Sequence, residues 1–355
     1  MAGIKSQLFR AGLSALRFSG AARALAPWTA GKGAILLLHR VQPATTFTAH
    51  EAFAPNAGLS VTPAYLDALL RGFRAAGTDI IGLDEAMRRV ATDGASRRFV
   101  CFTFDDGYRD NLEHGLPVFQ RYGAPFTVYA TSGFVERSLD PWWCVLEHIV
   151  ARSGRVRWRG AQDETVYDTA DLSAKYLAYA ALTRAFLRLP TADVRVQLRR
   201  LAEDHALSWG EFAEREFCTF AELRALRAGG ADIGCHTVSH ARLMGESEAV
   251  ARHELSAARA TLEAELGCPV THLAYPYGKR DHVGPRELAL AKELGFASAT
   301  TTRKGALFAA HSQHRHALPR VEVTPSFEAS PHYLQTIVSG LPLLIWNRGH
   351  RAIID

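Results

Sequence analysis

The chain has 355 residues, and 48% of them are hydrophobic, which is enough for one large soluble domain or for two ordinary ones. Its 41 basic and 36 acidic residues give a net charge of +5, a mild excess from which no nucleic-acid partner is expected. No run of about 18 apolar residues occurs, so a membrane-spanning helix is not expected either.

Residues 1–32 predict a basic amphipathic helix. No acidic residue precedes Glu51, and apolar residues recur at helical spacing at Ile4, Leu8, Phe9, Leu13 and Leu16. Such a helix can pack on the domain, or it can rest on an anionic membrane surface. The segment lacks the continuous apolar stretch of a secretory signal. We therefore expect a cytoplasmic protein, with peripheral contact through residues 1–32 on the inner face of the inner membrane as the accompanying hypothesis.

The residues that follow alternate between strand-like and helix-like patterns. A short apolar run at 33–41 is typical of a buried parallel strand, and alternation continues up to about residue 135. Residues 136–217 favour a mostly helical insertion, after which the alternation resumes. Roughly seven or eight candidate strands predict an α/β barrel over 33–330 that contains the insertion, with a C-terminal extension at 331–355.

The five cysteines do not form a metal or disulfide pattern. Their number is odd, and they are scattered singly along the chain without CxxC spacing. This usage indicates structural thiols in a reducing compartment rather than a disulfide framework or a cysteine zinc site.

Two short motifs at predicted strand ends indicate a metal site. Asp105 and Asp106 directly follow the apolar run "FVCFTF", and adjacent carboxylates are costly to bury without a positive partner. His236 and His240, in "HTVSH", follow another predicted strand and can face one point. Two imidazoles and one carboxylate suit a divalent transition metal, and barrel active sites form where strands end. Taken alone, the first motif could be a plain turn and the second a pair of surface histidines.

The motifs "TFDDG", "HTVSH" and "LAYPYG" resemble the first three motifs of the polysaccharide deacetylases, the NodB-homology or carbohydrate esterase family 4 group. The resemblance covers the core from Ile35 to about Val323, without the insertion. It implies a distorted (β/α)7 barrel that removes N-acetyl groups from sugar polymers or oligosaccharides.

The resemblance also implies roles for individual residues. Asp106, His236 and His240 would hold a divalent metal ion, with Zn²⁺ as the default and Fe²⁺, Co²⁺, Ni²⁺ or Mn²⁺ suited to the same ligands. Asp105 would be the general base that takes a proton from the attacking water. The backbone N–H of Tyr277 would stabilise the oxyanion.

Two further roles depart from the usual family pattern. Most members take their general acid from a histidine late in the chain, whereas here "AILLLHRV" offers His39, as in a circularly permuted member with the general-acid strand at the N-terminal side. The third motif usually begins with an arginine that orients the base, but this chain has Ala274 there. Arg320 in "LPRVEV" is the substitute candidate, since a guanidinium can hold a carboxylate with two hydrogen bonds. A structural histidine and a packing arginine are the alternatives.

The resulting prediction is a metal-dependent hydrolase that removes N-acetyl groups from an amino sugar in a bacterial polysaccharide, lipopolysaccharide or lipid-linked glycan precursor. The alternatives are a deformylase of a lipid-linked formamido sugar and an inactive carbohydrate-binding relative. A phosphotransferase with an aspartyl nucleophile would need a DxD spacing that "FDDG" does not supply. Trp142 and Trp143 could offer an aromatic face to a sugar or anchor the insertion.

Overall fold

The structure is a computed structural model, and it describes residues 2–44, 53–92, 94, 97–160, 164–328, 330 and 332–354, except for the side chains of residues 2–6 and 8. No helix in this described part combines the length and the apolar character needed to cross a bilayer.

Parallel strands close into a barrel. The order β1-β12-β11-β10-β9-β6-β5 is hydrogen-bonded throughout, and β1 also pairs with β5, which joins the two ends of the sheet. A short strand, β4, extends the sheet beside β5. This seven-stranded parallel barrel confirms the predicted fold class. The strands of the described residues are β1 (Gly33–Leu38), β2 (Arg40–Val41), β3 (Ser60–Val61), β4 (Asp79–Ile80), β5 (Phe99–Phe104), β6 (Phe126–Ala130), β7 (Arg155–Arg159), β8 (Glu164–Asp168), β9 (Ala231–Cys235), β10 (His272–Ala274), β11 (Ser298–Lys304) and β12 (Leu318–Glu322).

Helices cover the outside of the barrel and form most of the insertion. Their bounds are α1 (Ala2–Phe18), α2 (Ala21–Thr29), α3 (Pro63–Ala75), α4 (Leu83–Ala91), α5 (Leu116–Arg121), α6 (Ser132–Val135), α7 (Trp142–Arg152), α8 (Leu172–Phe186), α9 (Thr191–Asp204), α10 (Glu211–Glu216), α11 (Phe220–Ala228), α12 (Glu248–Leu266), α13 (Pro285–Glu293), α14 (His332–Val338) and α15 (Leu341–Trp346).

The strand alternation decides which side chains face the barrel interior. In β5, Phe99 and Cys101 pack inside the barrel with Ile35 of β1, while the intervening residues pack against the outer helices. Side chains of a strand alternate between its two faces. Continued past the strand ends, the same alternation directs Asp105 and His39 toward the interior at the carboxyl end of the barrel.

The insertion has its own apolar core and includes a hairpin as well as helices. Side chains from α7, α8 and α9 form a cluster separate from the barrel cores. The antiparallel pair β7–β8 was not predicted. Its signal lies in β7, where exposed arginines alternate with the buried Val156 and Trp158, a period of two that is typical of a half-buried strand.

The two ends of the described chain pack together on the barrel. Leu13 of α1 is 2% exposed and belongs to the core between barrel and helices. The hydroxyl of Ser14 donates to the hydroxyl of Tyr333 at 3.4 Å, and the hydroxyl of Thr29 donates to the carbonyl of Ser339 at 2.7 Å. The N-terminal helix therefore packs on the domain.

Candidate active site

Three potential metal ligands from two strand ends converge at the carboxyl end of the barrel. Asp106 follows β5, and His236 and His240 follow β9. Oδ1 of Asp106 lies 3.3 Å from Nε2 of each histidine. Among the described residues, this is the one group of three or more such side chains whose ligand atoms all lie within 4.8 Å of one another.

The backbone at these positions is strained in a way that aims the side chains. Asp106, Thr237, His240 and Tyr277 all have positive φ, at 76°, 65°, 55° and 62°. Residues with a Cβ rarely adopt this left-handed region, and such conformations cluster at functional sites. The turn after Asp106 is completed by Gly107 at φ 84°, where an added Cβ would lie 3.3 Å from Ala130.

The donor atoms of this cluster fit a cation. Nδ1 of His236 lies 2.7 Å from the carbonyl oxygen of Ala274, and because a carbonyl only accepts, Nδ1 carries a proton. In the neutral form of this tautomer, Nε2 presents its lone pair to Asp106, whose buried Oδ1 has no hydrogen-bond partner among the described residues. Lone pairs and a carboxylate oxygen repel one another unless a cation lies between them. A backbone carbonyl that orients the imidazole is also typical of metal-binding histidines.

Burial and charge act in opposite directions on the pKa values of the cluster. Burial raises the pKa of Asp106, but the two imidazoles outweigh it and hold that pKa far below its usual value. Burial lowers the pKa of His240 by more than Asp106 raises it, so the pKa lies below its usual value. For His236, burial is outweighed by Asp105 and Asp106, and the pKa is raised. An ionised Asp106 and a neutral His240 are the forms that bind metal.

Arg320 holds Asp105 from the opposite side. Its Nη1 and Nη2 donate to the two carboxylate oxygens of Asp105, each at 2.7 Å, and Arg320 is 1% exposed. Further contacts fix the guanidinium: Nε donates to the carbonyl of Thr301 at 2.9 Å, and Nη1 donates to the hydroxyl of Thr103 at 3.2 Å. Burial raises the pKa of Asp105, but Arg320 and His236 outweigh it and lower the pKa. Arg320, on β12, thus makes the paired contact with Asp105 that was predicted for a substitute arginine, while Ala274 lies on β10.

His39 lies beside Asp105 on the neighbouring strand. Leu38 of β1 is in register with Phe104 of β5, and the N–H of Asp105 donates to the carbonyl of Leu38 at 2.9 Å. Beside the larger effects of Arg320 and the cluster histidines, His39 contributes to the lowered pKa of both Asp105 and Asp106. Nδ2 of Asn111 donates to its backbone carbonyl at 2.9 Å.

Tyr277 approaches the cluster through a tight turn after β10. Its ring centroid lies 4.7 Å from that of His240, and its carbonyl accepts from the hydroxyl of Thr302 at 2.6 Å. Gly278 follows at φ 63°, where an added Cβ would lie 2.5 Å from the backbone nitrogen of Thr302. The turn thus packs tightly against β11 and sets the ring of Tyr277 beside His240. Burial raises the pKa of Tyr277 to about 12, so its phenol stays protonated.

The insertion reaches the site through two tryptophans. Nε1 of Trp142 donates to the hydroxyl of Tyr277 at 3.1 Å, and Nε1 of Trp143 donates to the hydroxyl of Tyr108 at 2.8 Å. The ring of Trp143 lies 4.9 Å from that of His240. Both tryptophans therefore anchor the insertion to the site.

Sequence reasoning gave no role to Tyr108, whose only signal was its place two residues after Asp106.

A cavity of about 600 Å³ opens beside Tyr108 and Trp143, and its wall also includes Arg40, Asn56 and Glu147. The metal-ligand cluster does not line it, so the cavity adjoins the site rather than containing it.

A closed parallel barrel with carboxylates and imidazoles at the carboxyl ends of its strands defines a (β/α)-barrel enzyme. The family model for polysaccharide deacetylase matches residues 92–299. The match spans more than half of the chain, and the chain belongs to the polysaccharide deacetylase family. The matched range contains Asp105, Asp106, His236 and His240, whereas His39 and Arg320 lie outside it.

Solved structures share the fold at low sequence identity. The deacetylase PplD from Streptococcus pyogenes is 18% identical, with a TM-score of 0.54 over 85% of this chain and 96% of that chain. IcaB from Ammonifex degensii is 16% identical, with a TM-score of 0.54 over 87% of this chain and 97% of that chain. A polysaccharide deacetylase from Bacillus cereus is 15% identical, with a TM-score of 0.54 over 86% of this chain and 69% of that chain. No curated protein sequence matches the chain.

Proposed function

We propose that the protein is a metal-dependent hydrolase that removes N-acetyl groups from an amino sugar in a bacterial polysaccharide, lipopolysaccharide or lipid-linked glycan precursor. The observation that carries this proposal is the convergence of Asp106, His236 and His240 beside an Asp105 held by Arg320. A family of deacetylases supplies the reaction class, and the arrangement of these side chains suits amide hydrolysis.

The ligand set favours a divalent ion, with Zn²⁺ as the first choice and Fe²⁺, Co²⁺, Ni²⁺ or Mn²⁺ compatible with the same donors. When bound, such an ion supplies Lewis acidity, which activates water and polarises the amide carbonyl. Asp106, His236 and His240 would hold it.

The other residues handle protons and the developing charge. Asp105, kept ionised by Arg320, takes a proton from the attacking water. The water oxygen bonds to the amide carbon, and the backbone N–H of Tyr277 donates to the oxyanion. His39 gives a proton to the amine nitrogen as the C–N bond breaks, and acetate and the free amino sugar leave. Arg320 acts as a positioning residue.

The cavity beside Tyr108 and Trp143 is consistent in size and lining with the proposed glycan substrate. Its volume of about 600 Å³ falls in the range of small-molecule sites, and its wall combines aromatic surface with charged and amide groups. Such a mixture suits a sugar ring, which has apolar faces and a polar rim.

Acetate release from a panel of N-acetylated polymers, oligosaccharides and lipid-linked sugars tests the proposal. We expect acetate from at least one substrate, loss of activity with a chelator, and recovery after a divalent metal is returned. A parallel panel of N-formyl sugars distinguishes a deformylase, which would release formate instead. The Asp105→Asn variant should lose about 10²–10⁴-fold in kcat. The matched control is Asp193→Asn, at an exposed position of α9, which should keep full activity. Chelator-insensitive turnover would contradict the proposal.

A further inference from the structure

Positive charge predominates at the two ends of the chain, where Asp355 is the one acidic residue outside 51–328. None of the 36 acidic residues lies at 1–50 or at 329–354. Four arginines in these segments are exposed: Arg17, Arg23, Arg348 and Arg351. Elsewhere basic and acidic side chains are interspersed and form many surface ion pairs, so this separation distinguishes the two ends.

The helices of these segments form one layer. α1 packs on α2 and α14, and α15 packs on α2 and α14. The contact between α2 and the α14–α15 junction is close, since an added Cβ on Gly340 would lie 1.9 Å from the carbonyl oxygen of Thr29. We call α1, α2, α14 and α15 the terminal helix layer.

This layer exposes an unusual number of large apolar side chains. Phe18 is 85% exposed, Trp28 63%, Ile345 63% and Trp346 58%. Nζ of Lys304 lies 4.3 Å above the ring of Trp346. Exposed tryptophans next to basic residues are typical of segments that lie at a membrane interface, where the indole sits at the level of the headgroups.

Part of the apolar stripe predicted for the first helix packs on the domain. Leu13 is buried, and the ring of Phe9 lies 6.4 Å from that of Phe327. The side chains of Ile4 and Leu8 lie outside the described residues. The surface available for a partner therefore comes from the end of α1, from α2 and from α15.

We propose that the terminal helix layer docks on an anionic phospholipid bilayer. Phe18, Trp28 and Trp346 would enter the headgroup region, and the exposed arginines would attract anionic lipids. Charge favours this occupant over a second copy of the chain, because two identical positive surfaces repel each other. α2 leads into the amino end of β1, opposite the carboxyl ends that carry the catalytic residues.

Vesicle flotation of the full chain tests this proposal without any need for catalysis. We expect binding to vesicles of phosphatidylglycerol and phosphatidylcholine at low salt, and release at high salt because the attraction is screened. The pair Trp28→Ser with Trp346→Ser should weaken binding about tenfold or more. The double variant Arg17→Glu, Arg23→Glu should also weaken binding, in this case by charge alone. It keeps the proposal testable if the tryptophan variant fails to fold.

The matched controls are Leu177→Ser, at a side chain 70% exposed on the insertion, and Arg200→Glu, at an exposed position of α9. Both should bind like the wild type, and all variants should keep their activity on a soluble substrate. Equal flotation with pure phosphatidylcholine vesicles, or no flotation at all, would overturn the proposal. So would a dimer in sedimentation velocity that the tryptophan pair dissociates, since the layer would then be an interface between copies.

Discussion

Asp105 and Asp106 are neighbours in the chain, yet each faces a different set of partner side chains. Asp105 continues the inward alternation of β5 and meets Arg320, whereas the positive φ of Asp106 turns the next side chain toward His236 and His240. Two buried carboxylates are costly side by side unless each is compensated. The arrangement separates one carboxylate suited to proton transfer from one suited to metal binding.

Replacement of Arg320 tests this division through the pH dependence. In Arg320→Met the buried Asp105 loses its guanidinium partner, so its pKa rises. A base must be ionised to act, and the acidic limb of kcat/KM should therefore move to higher pH. Removal of one partner of a buried pair should also cost about 3–5 kcal/mol in the free energy of unfolding. A pH–rate profile and a urea titration measure the two effects.

Arg320→Lys is the companion variant, because it keeps the positive charge but not the paired hydrogen bonds. It should shift the acidic limb less than the methionine variant does. An acidic limb that stays in place in both variants would mean that Arg320 does not set the pKa of the base.

The role of His39 can be tested with two leaving groups. An amine needs a proton to depart, whereas p-nitrophenolate departs without one. We expect His39→Gln to lose about 10²–10⁴-fold in kcat on an N-acetyl sugar and much less on p-nitrophenyl acetate. Equal losses on both substrates would argue against proton donation by His39.

At this scale the sequence predicts local pairs better than distant ones. Asp105 with Asp106, and His236 with His240, stand a few residues apart at strand ends, so spacing alone brings each pair together. Arg320 is 215 residues from Asp105, and no local pattern distinguishes an arginine that pairs with a carboxylate from one that packs. The family pattern, with Ala274 where an arginine is expected, predicts a substitute arginine elsewhere in the chain.

The insertion is the element that shapes the surroundings of the site. Trp142 stacks on Phe186 within the insertion, with ring centroids 5.3 Å apart, and donates to Tyr277 of the barrel. Tyr277 in turn packs against His240. The insertion thereby supports the turn from which the oxyanion donor is proposed.

Trp142→Phe should keep the stacking on Phe186 and lose the hydrogen bond to Tyr277. The hydrogen bond contributes about 1 kcal/mol, and without it the turn that carries Tyr277 is held less firmly. We therefore expect kcat to fall several-fold while KM changes little. Trp209→Phe is the matched control, since its indole donates to the carbonyl of Ser138 at 3.2 Å within the same region. Steady-state kinetics that show the same loss for both variants would contradict a specific role of Trp142.

On the scale of the whole molecule, the N-terminal strand completes the barrel. β1 pairs with β5 over six residues and with β12 on its other side. The alternation of strand and helix predicted a parallel sheet and about the right number of strands. Closure depends on pairing between distant segments, which no local pattern specifies; the number of candidate strands favoured a barrel, and the family resemblance implied the same fold. The permuted order implied for the general-acid strand stays a prediction.

The attachment of the terminal helices is testable by stability. Leu13→Ala removes a buried side chain from the core between barrel and helices, and it should lower the free energy of unfolding by about 2–5 kcal/mol. Phe18→Ala, at a residue 85% exposed on the same helix, should change it by less than about 0.5 kcal/mol. Urea denaturation compares them, and equal values would show that α1 is not docked as described.

Metal content is the most direct measurement of the central claim. Elemental analysis of the purified, dialysed protein should find one divalent ion per chain in the wild type, and little in His236→Ala or Asp106→Asn. His272→Ala, at a buried histidine on β10 outside the cluster, should retain the ion. A wild type that holds no divalent ion even after incubation with Zn²⁺, or ligand variants that retain it fully, would contradict the account.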